Sequence, residues 1–276
     1  MEFTIRSKAL YSTWIYYKPE RLLFDAGEGI SAELGNKIYG IEKIFLTHSH
    51  IDHISGLWGI INTRNNAMGS REKDLEIYYP AESSRIEDYL NFIKSMNKKL
   101  RYKLSFIPLL QTDTISLGNN KFLEPFRTKH SPGEFSYGYK ITEKRKRLKS
   151  EFSDLKKEDL IKLSRENGKN YIVDIYDASL VIISGDSLPV PYEIAKNTET
   201  LVHECTFIIE KDRNIRNHTT LPELKELVKK VNPKRLIIYH VSSRYNKIIK
   251  STEDALNKEF PNIDITIVNP ESVSEL

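Results

Sequence analysis

Ile44-Phe45-Leu46-Thr47-His48-Ser49-His50-Ile51-Asp52-His53 is the stretch on which the fold and the chemistry turn. Three apolar residues, as in a buried strand, run into three histidines and an aspartate. His48 and His50 are two apart, so in extended chain both point to one side. Asp52 and His53 follow at the turn into an apolar helical pattern over residues 54–61. A lone histidine beside an apolar run is usually a satisfied core residue. Four ligand-type side chains at this spacing are hard to explain by packing. Neutral imidazole and carboxylate suit Zn²⁺, and the arrangement can serve two adjacent metal ions rather than one.

A two-metal site needs further ligands. The chain has seven histidines, at positions 48, 50, 53, 130, 203, 218 and 240. His130 follows the apolar run 122–126. Asp186 stands in Ser184-Gly185-Asp186-Ser187, just after 180–183, and His240 ends Leu236-Ile237-Ile238-Tyr239. Strand-end residues gather on one edge of a sheet, where open α/β sheets build their sites. Each of these residues alone has a structural reading. Together with the cluster at 48–53 they complete five histidines and two aspartates.

Working outward, strands are expected at 13–17, 22–25, 43–47, 75–79, 103–108, 121–126, 137–141, 179–184, 200–206, 235–239 and 263–268, all rich in Ile, Val, Tyr and Phe. Helices are expected at 54–61, 83–96, 221–231 and 247–259. The third is the clearest: Thr220 and Glu223 have capping-box spacing, and Leu224, Leu227, Val228 and Val231 form an apolar stripe. Strands followed by helices at both ends imply layered α/β architecture with helices outside. The 276 residues are 39% apolar and 29% charged, which fits a folded core and excludes global disorder. One cysteine, Cys205, excludes an intrachain disulfide and fits a reducing compartment. No apolar run approaches the roughly 20 residues of a membrane span, and the first six residues show no secretory stretch. A cytoplasmic chain without membrane association is expected.

One segment breaks the pattern. Residues 144–169 hold ten Lys/Arg and five Asp/Glu, so this stretch exceeds the +4 of the whole chain. It opens Lys144-Arg145-Lys146-Arg147-Leu148-Lys149 and continues with Phe152, Leu155, Leu160, Ile161 and Leu163. It reads as a basic amphipathic helical arm. Composition leaves open whether the arm is a solvated face or an electrostatic grip on a phosphate backbone.

The whole pattern resembles the metallo-β-lactamase-fold hydrolases, and among them the ribonuclease Z family of tRNA 3′-processing endonucleases, most of all its short Thermotoga-type branch. The resemblance runs from Phe24-Asp25-Ala26-Gly27-Glu28-Gly29 to His240-Val241-Ser242-Ser243-Arg244-Tyr245. His-x-His-x-Asp-His alone marks the superfamily. His203-Glu204-Cys205-Thr206, similar to the family's His-Glu-Ala-Thr, and the Ser-Ser-Arg-Tyr after His240 are more specific, as is His130-Ser131-Pro132-Gly133 leading to Tyr137-Gly138-Tyr139.

The resemblance implies a four-layer αββα sandwich over residues 1–276, as a single domain with an inserted arm at 142–172 that binds tRNA. It implies two Zn²⁺ per subunit, with Mn²⁺ an alternative. His48, His50 and His130 would bind one ion, and Asp52, His53 and His240 the other, with Asp186 between them. Asp25 would orient a ligand histidine. Asp52 would accept a proton, and Glu204 with His218 would protonate the leaving ribose oxygen. Lys144, Arg145, Lys146, Arg147 and Lys149 would contact precursor tRNA, and a homodimer is implied. Arg64, Arg71, Ser242 and Arg244 are further phosphate-binding candidates. If Glu204 faces the site, His203 packs elsewhere, since neighbours in a strand point to opposite faces. The chain departs from the family pattern at Cys205, at Asn217-His218-Thr219-Thr220, at Arg6-Ser7-Lys8-Ala9 and at the arm's tip. Two competing functions share much of this pattern: a hydrolase of small esters on the same fold, and a non-catalytic RNA-binding relative.

Overall fold

The computed structural model describes residues 2–66 and 72–276. The first sheet is built from β1 (Phe3–Lys8), β2 (Ser12–Tyr17), β3 (Leu22–Phe24), β4 (Lys43–Phe45), β5 (Leu75–Pro80) and β6 (Leu104–Leu109). The second is built from β7 (Ile115–Gly118), β8 (Lys121–Thr128), β9 (Ser136–Leu148), β10 (Val173–Ile183), β11 (Thr200–Glu204), β12 (Arg235–Tyr239) and β13 (Asp264–Ile267). A short β14 (Ser274–Glu275) returns to pair with β1 at the edge of the first sheet. Strand order is β14-β1-β2-β3-β4-β5-β6 in one sheet and β13-β12-β11-β10-β9-β8-β7 in the other.

The strands alternate between two apolar layers, which is why they read as continuous apolar runs. In β12, Ile237 and Tyr239 face the other sheet, whereas Leu236 and Ile238 pack against the outer helices. In β4, Phe45 faces inward and Ile44 outward. The inner layer stacks Phe24 on Phe45 at 5.6 Å and Phe45 on Tyr78 at 4.7 Å between ring centroids. Each such ring buried from water stabilises the fold by about 1.5–3 kcal/mol.

Outside the first sheet lie α1 (Ile30–Leu34), α2 (Ile51–Ile54), α3 (Leu57–Asn65) and α4 (Ser84–Met96). Beyond α5 (Lys157–Asn167) in the projecting segment, α6 (Tyr192–Ala195), α7 (Leu221–Val231) and α8 (Ile249–Glu259) cover the second sheet. This is the expected four-layer sandwich. No described helix is long and apolar enough to cross a membrane.

Three local expectations change. The helix expected over 54–61 is two helices, α2 and α3, and it starts early enough to carry Asp52 and His53. The break falls at Gly56, where a Cβ would meet Gly27 O at 2.1 Å, so only glycine lets the Ala26–Gly27 backbone approach. The edge strands β7 and β14, and β1 beside β14, lack long apolar runs, and the sequence does not predict them.

The basic segment is not a helical arm throughout. Residues 144–148 extend β9 and pair antiparallel with β10, Lys144 opposite Asp177 and Arg147 opposite Asp174. Beyond β9 a 3₁₀ turn at Ser150–Phe152 and α5 at the far end are helical, and none of their residues is buried. The returning strand brings its own acids. Residues 142–179 carry ten Lys/Arg and eight Asp/Glu, a net of +2. Lys144 lies 3.0 Å from Asp177, Arg147 3.9 Å from Asp174, and Arg145 2.9 Å from Glu199.

Candidate metal centre

Strands β3, β4, β5 and β6 run parallel, as do β10, β11, β12 and β13. Their C-terminal ends meet at one edge of the sandwich. Asp25 follows β3, His48 and His50 follow β4, Asp186 follows β10, Glu204 ends β11 and His240 follows β12. His130, two residues past β8, joins them. Asp25 and His240 take left-handed backbone conformations, with φ of 57° and 59°. That conformation costs about 1–2 kcal/mol for a residue with a Cβ. Backbone bonds from Asp25 N–H to Phe45 O and from His240 N–H to Ser7 Oγ, both at 2.9 Å, hold these turns.

The structure gathers the seven side chains into two adjoining groups that could hold metal ions, and Asp186 and His240 form a third such group with His218. His48, His50, His130 and Asp186 present ligand atoms within 4.8 Å of one another, and so do Asp52, His53 and His240. Asp186 Oδ2 lies 3.3 Å from His53 Nε2, 3.2 Å from His240 Nε2 and 3.8 Å from His48 Nε2, so it stands between the groups.

Hydrogen bonds on the far side of four of the five rings fix their tautomers. Asp25 Oδ2 accepts from His53 Nδ1 at 2.7 Å. Thr47 Oγ1 donates to Asp25 Oδ2 at 2.8 Å, leaving its lone pair for His48 Nδ1–H, also at 2.8 Å. Thr206 Oγ1 does the same between Glu204 Oε2 (3.0 Å) and His240 Nδ1 (2.8 Å). The Asn217 carbonyl accepts from His130 Nδ1 at 3.0 Å. Four rings therefore aim a bare Nε2 at the centre, as metal-bound histidines do. Thr47 and Thr206 were not singled out in the sequence, although each stands inside a motif beside a site residue.

A divalent cation fits these atoms. His48 Nε2, His53 Nε2, His240 Nε2 and Asp186 Oδ1 are buried and have no hydrogen-bond partner. Such orphaned groups cost about 1–3 kcal/mol each unless something satisfies them. His50 Nδ1 and His130 Nε2 are 3.3 Å apart. Two nitrogens on one tetrahedral zinc, at about 2.0–2.1 Å each, have about that spacing. Burial pushes the His48 imidazole well below its ordinary pKa, which keeps it neutral.

Beside the two groups lies the pair Glu204 and His218, with Oε1 and Nδ1 3.1 Å apart. Glu204 is fully buried and accepts from the N–H groups of Ser187, Thr206 and Thr219 at 3.1, 2.8 and 2.9 Å. Burial works against the His218 imidazolium, yet the Glu204 carboxylate pushes its pKa up to about 9. Burial likewise works against ionised Glu204, and His218 keeps it below the carboxylate range. His218 and His240 also line a cleft of about 640 Å³ with Tyr11, Phe207, Asn214 and Arg244. His203 points away: buried, it accepts from Val190 N–H at 3.2 Å and donates to Glu204 O at 2.7 Å.

The phosphate-binding candidates divide. Ser242 and Arg244 line the cleft. Arg64 does not reach it. It is fully buried, and its guanidinium donates to Ile38 O at 2.8 Å, Ile41 O at 2.7 Å and Lys73 O at 2.5 Å. It closes helix and loop carbonyls rather than meeting a substrate. Arg71 lies outside the described residues.

Known proteins resemble this chain in sequence and in fold. Residues 11–143 match the metallo-beta-lactamase superfamily. Ribonuclease Z of Ligilactobacillus salivarius is 32% identical over 269 aligned positions, covering 88% of this chain and 83% of that protein. Ribonuclease BN of Proteus mirabilis is 32% identical, covering 81% and 79%. Among solved structures, the short form of human tRNase Z superposes with a TM-score of 0.63 at 18% identity, covering 99% of this chain and 98% of that one. YhfI of Bacillus subtilis, a metallo-beta-lactamase fold protein, gives 0.64 at 15% identity, covering 99% of both chains.

Proposed function

This chain belongs to the ribonuclease Z family within the metallo-β-lactamase superfamily, and from there we propose that it is the zinc-dependent endoribonuclease that removes the 3′ trailer from precursor tRNA. The products are tRNA ending in a 3′-hydroxyl and a trailer with a 5′-phosphate. The observation that carries this reading is the convergence of seven ligand side chains with the Glu204–His218 pair at their rim.

His48, His50 and His130 would hold one zinc ion, Asp52, His53 and His240 the second, and Asp186 both. Mn²⁺ suits the same donors. When bound, the ions supply a water of lowered pKa and positive charge for the phosphoryl oxygens. Asp52 accepts the proton of the attacking water. His218 delivers a proton to the departing ribose 3′-oxygen, a poor leaving group as alkoxide. Glu204 fixes the His218 ring through Nδ1 and leaves Nε2 to donate. Asp25 holds His53 in the tautomer that coordinates.

A site that accepts any phosphodiester needs a second contact to choose tRNA, because structured RNA is recognised largely through shape and backbone. The projection at 142–172, inserted in an otherwise single domain, supplies that contact. Lys144, Arg145, Lys146 and Arg147 line its first strand, Lys149 follows it, and Lys157, Lys162 and Arg165 add charge on the exposed α5. The ion pairs with Asp174 and Asp177 are exposed, worth about 0–1 kcal/mol, and yield to phosphate. The chain acts as a homodimer in which one subunit's arm grips the tRNA cleaved by the other. The free, buried Cys205 suits a reducing cytoplasm.

End-labelled precursor tRNA tests the reading. We expect one cut at the 3′ end of the tRNA body, abolished by a chelator and restored by Zn²⁺. An intact precursor, or cutting that survives chelation, would contradict it.

A further inference from the structure

His50 and His130 are 80 residues apart in the chain, yet their facing nitrogens stand 3.3 Å from each other. His50 lies in the loop after β4, and His130 in the loop between β8 and β9. Neither loop has regular structure of its own at these residues. Something must set their separation to the width of one ion.

The loop that carries His130 turns back on itself. Glu134 N–H donates to Ser131 O at 3.1 Å, and Gly133 between them has φ of +78°, a conformation that favours glycine. The turn aims Glu134 at the other loop. There its two carboxylate oxygens take both donors of one residue: Oε1 accepts from Ser49 N–H at 2.8 Å, and Oε2 from Ser49 Oγ at 2.9 Å. Ser49 is the residue between His48 and His50. The Glu134 side chain is 4% exposed, and the only cation paired with it among the described residues, Arg85 at 3.6 Å, is 76% exposed. A buried carboxylate is thus committed almost wholly to two bonds with Ser49. A further bond, from Tyr137 N–H at the start of β9 to Thr47 O at 2.9 Å, joins the His48 loop to the strand that follows His130. It lies on the other side of His48 from His50.

We propose that Glu134 is a positioning residue for the metal pocket formed by His48, His50 and His130: by clamping Ser49 it fixes the distance between His50 and His130, and so the affinity of one ion but not the other. The inference rests on the two-zinc reading of the site. In the other group His53 is held by Asp25 and His240 by Thr206, and Asp52, His53 and His240 make no hydrogen bond with Glu134.

The test follows zinc release from the zinc-loaded full-length chain to a chromophoric chelator, with the unfolding midpoint measured in parallel. Wild type should release two ions per chain. Glu134→Ala should release one of them with affinity lowered about 10–100-fold, the usual effect of losing a group that orients a metal ligand, while the other ion stays within about threefold. Glu134→Gln keeps an acceptor for Ser49 N–H and offers an amide N–H to Ser49 Oγ, so it should restore most of the loss. Ser49→Ala, which removes one of the two bonds and serves if Glu134→Ala does not fold, should weaken the same ion by less. Two equally weakened ions, or two unaffected ions, would overturn the assignment. Fewer than two ions released by wild type would overturn the two-zinc reading itself, and the inference with it.

Discussion

Glu204 and His218 meet at 3.1 Å, the carboxylate fully buried and held by three backbone N–H groups, the imidazole partly open to the cleft. A ring fixed in this way is suited to giving a proton from its free nitrogen to an oxygen in the cleft. His218→Ala should therefore slow precursor-tRNA cleavage by about 10²–10⁴. Hydrolysis of a small phosphodiester with a good leaving group, such as a nitrophenyl ester, should fall far less. Equal losses on both substrates would remove His218 as the donor.

Asp52 belongs to the second ligand group and, in the proposed reaction, takes the proton of the attacking water. Asp52→Ala should abolish measurable turnover while leaving the dissociation constant for precursor tRNA within about threefold, since binding rests mainly on phosphates held elsewhere. A parallel loss of tRNA affinity would assign the residue to structure.

The ribbon and α5 can be removed at a natural seam, because Glu143 pairs with Ala178 across the two strands. Joining these residues through a short glycine turn should raise KM for precursor tRNA at least about tenfold and spare the small ester. The slope of log affinity against log salt should shrink by about 0.7–0.9 for each phosphate that the shortened chain no longer neutralises. Unchanged tRNA kinetics would refute the role of the projection.

Arg64 gives the opposite pattern. Arg64→Met leaves three carbonyls without their donor, so stability should drop by about 3 kcal/mol in chemical denaturation. KM for tRNA should not change in the folded fraction. A KM effect without destabilisation would return Arg64 to the substrate surface.

Much of the fold was legible because its strands are buried on both faces. Leu236-Ile237-Ile238-Tyr239 reads as a strand for that reason, and α7 reads as a helix because only one stripe of it is apolar. The ligands were legible because the chemistry needs several donors at once, so His48, His50, Asp52 and His53 crowd one short stretch. The ribbon was misread because its strands lie beyond the sandwich. Without a core to face, they show no apolar alternation, and their charges at 144–149 mimic a helical face. Arg64 looked like a surface cation because nothing in its neighbours marks the three carbonyls that enclose it. Glu134, Thr47 and Thr206 act through hydrogen bonds across the fold, and single-sequence spacing carries no trace of those.

Diffraction from crystals grown with zinc, recorded on both sides of the zinc absorption edge, is the sharpest test of the two-ion centre. Two anomalous peaks are expected, one about 2.0–2.2 Å from His48 Nε2, His50 Nδ1 and His130 Nε2, the other at that distance from Asp52, His53 and His240, with Asp186 touching both. A single peak, or peaks away from these seven side chains, would contradict the centre described here.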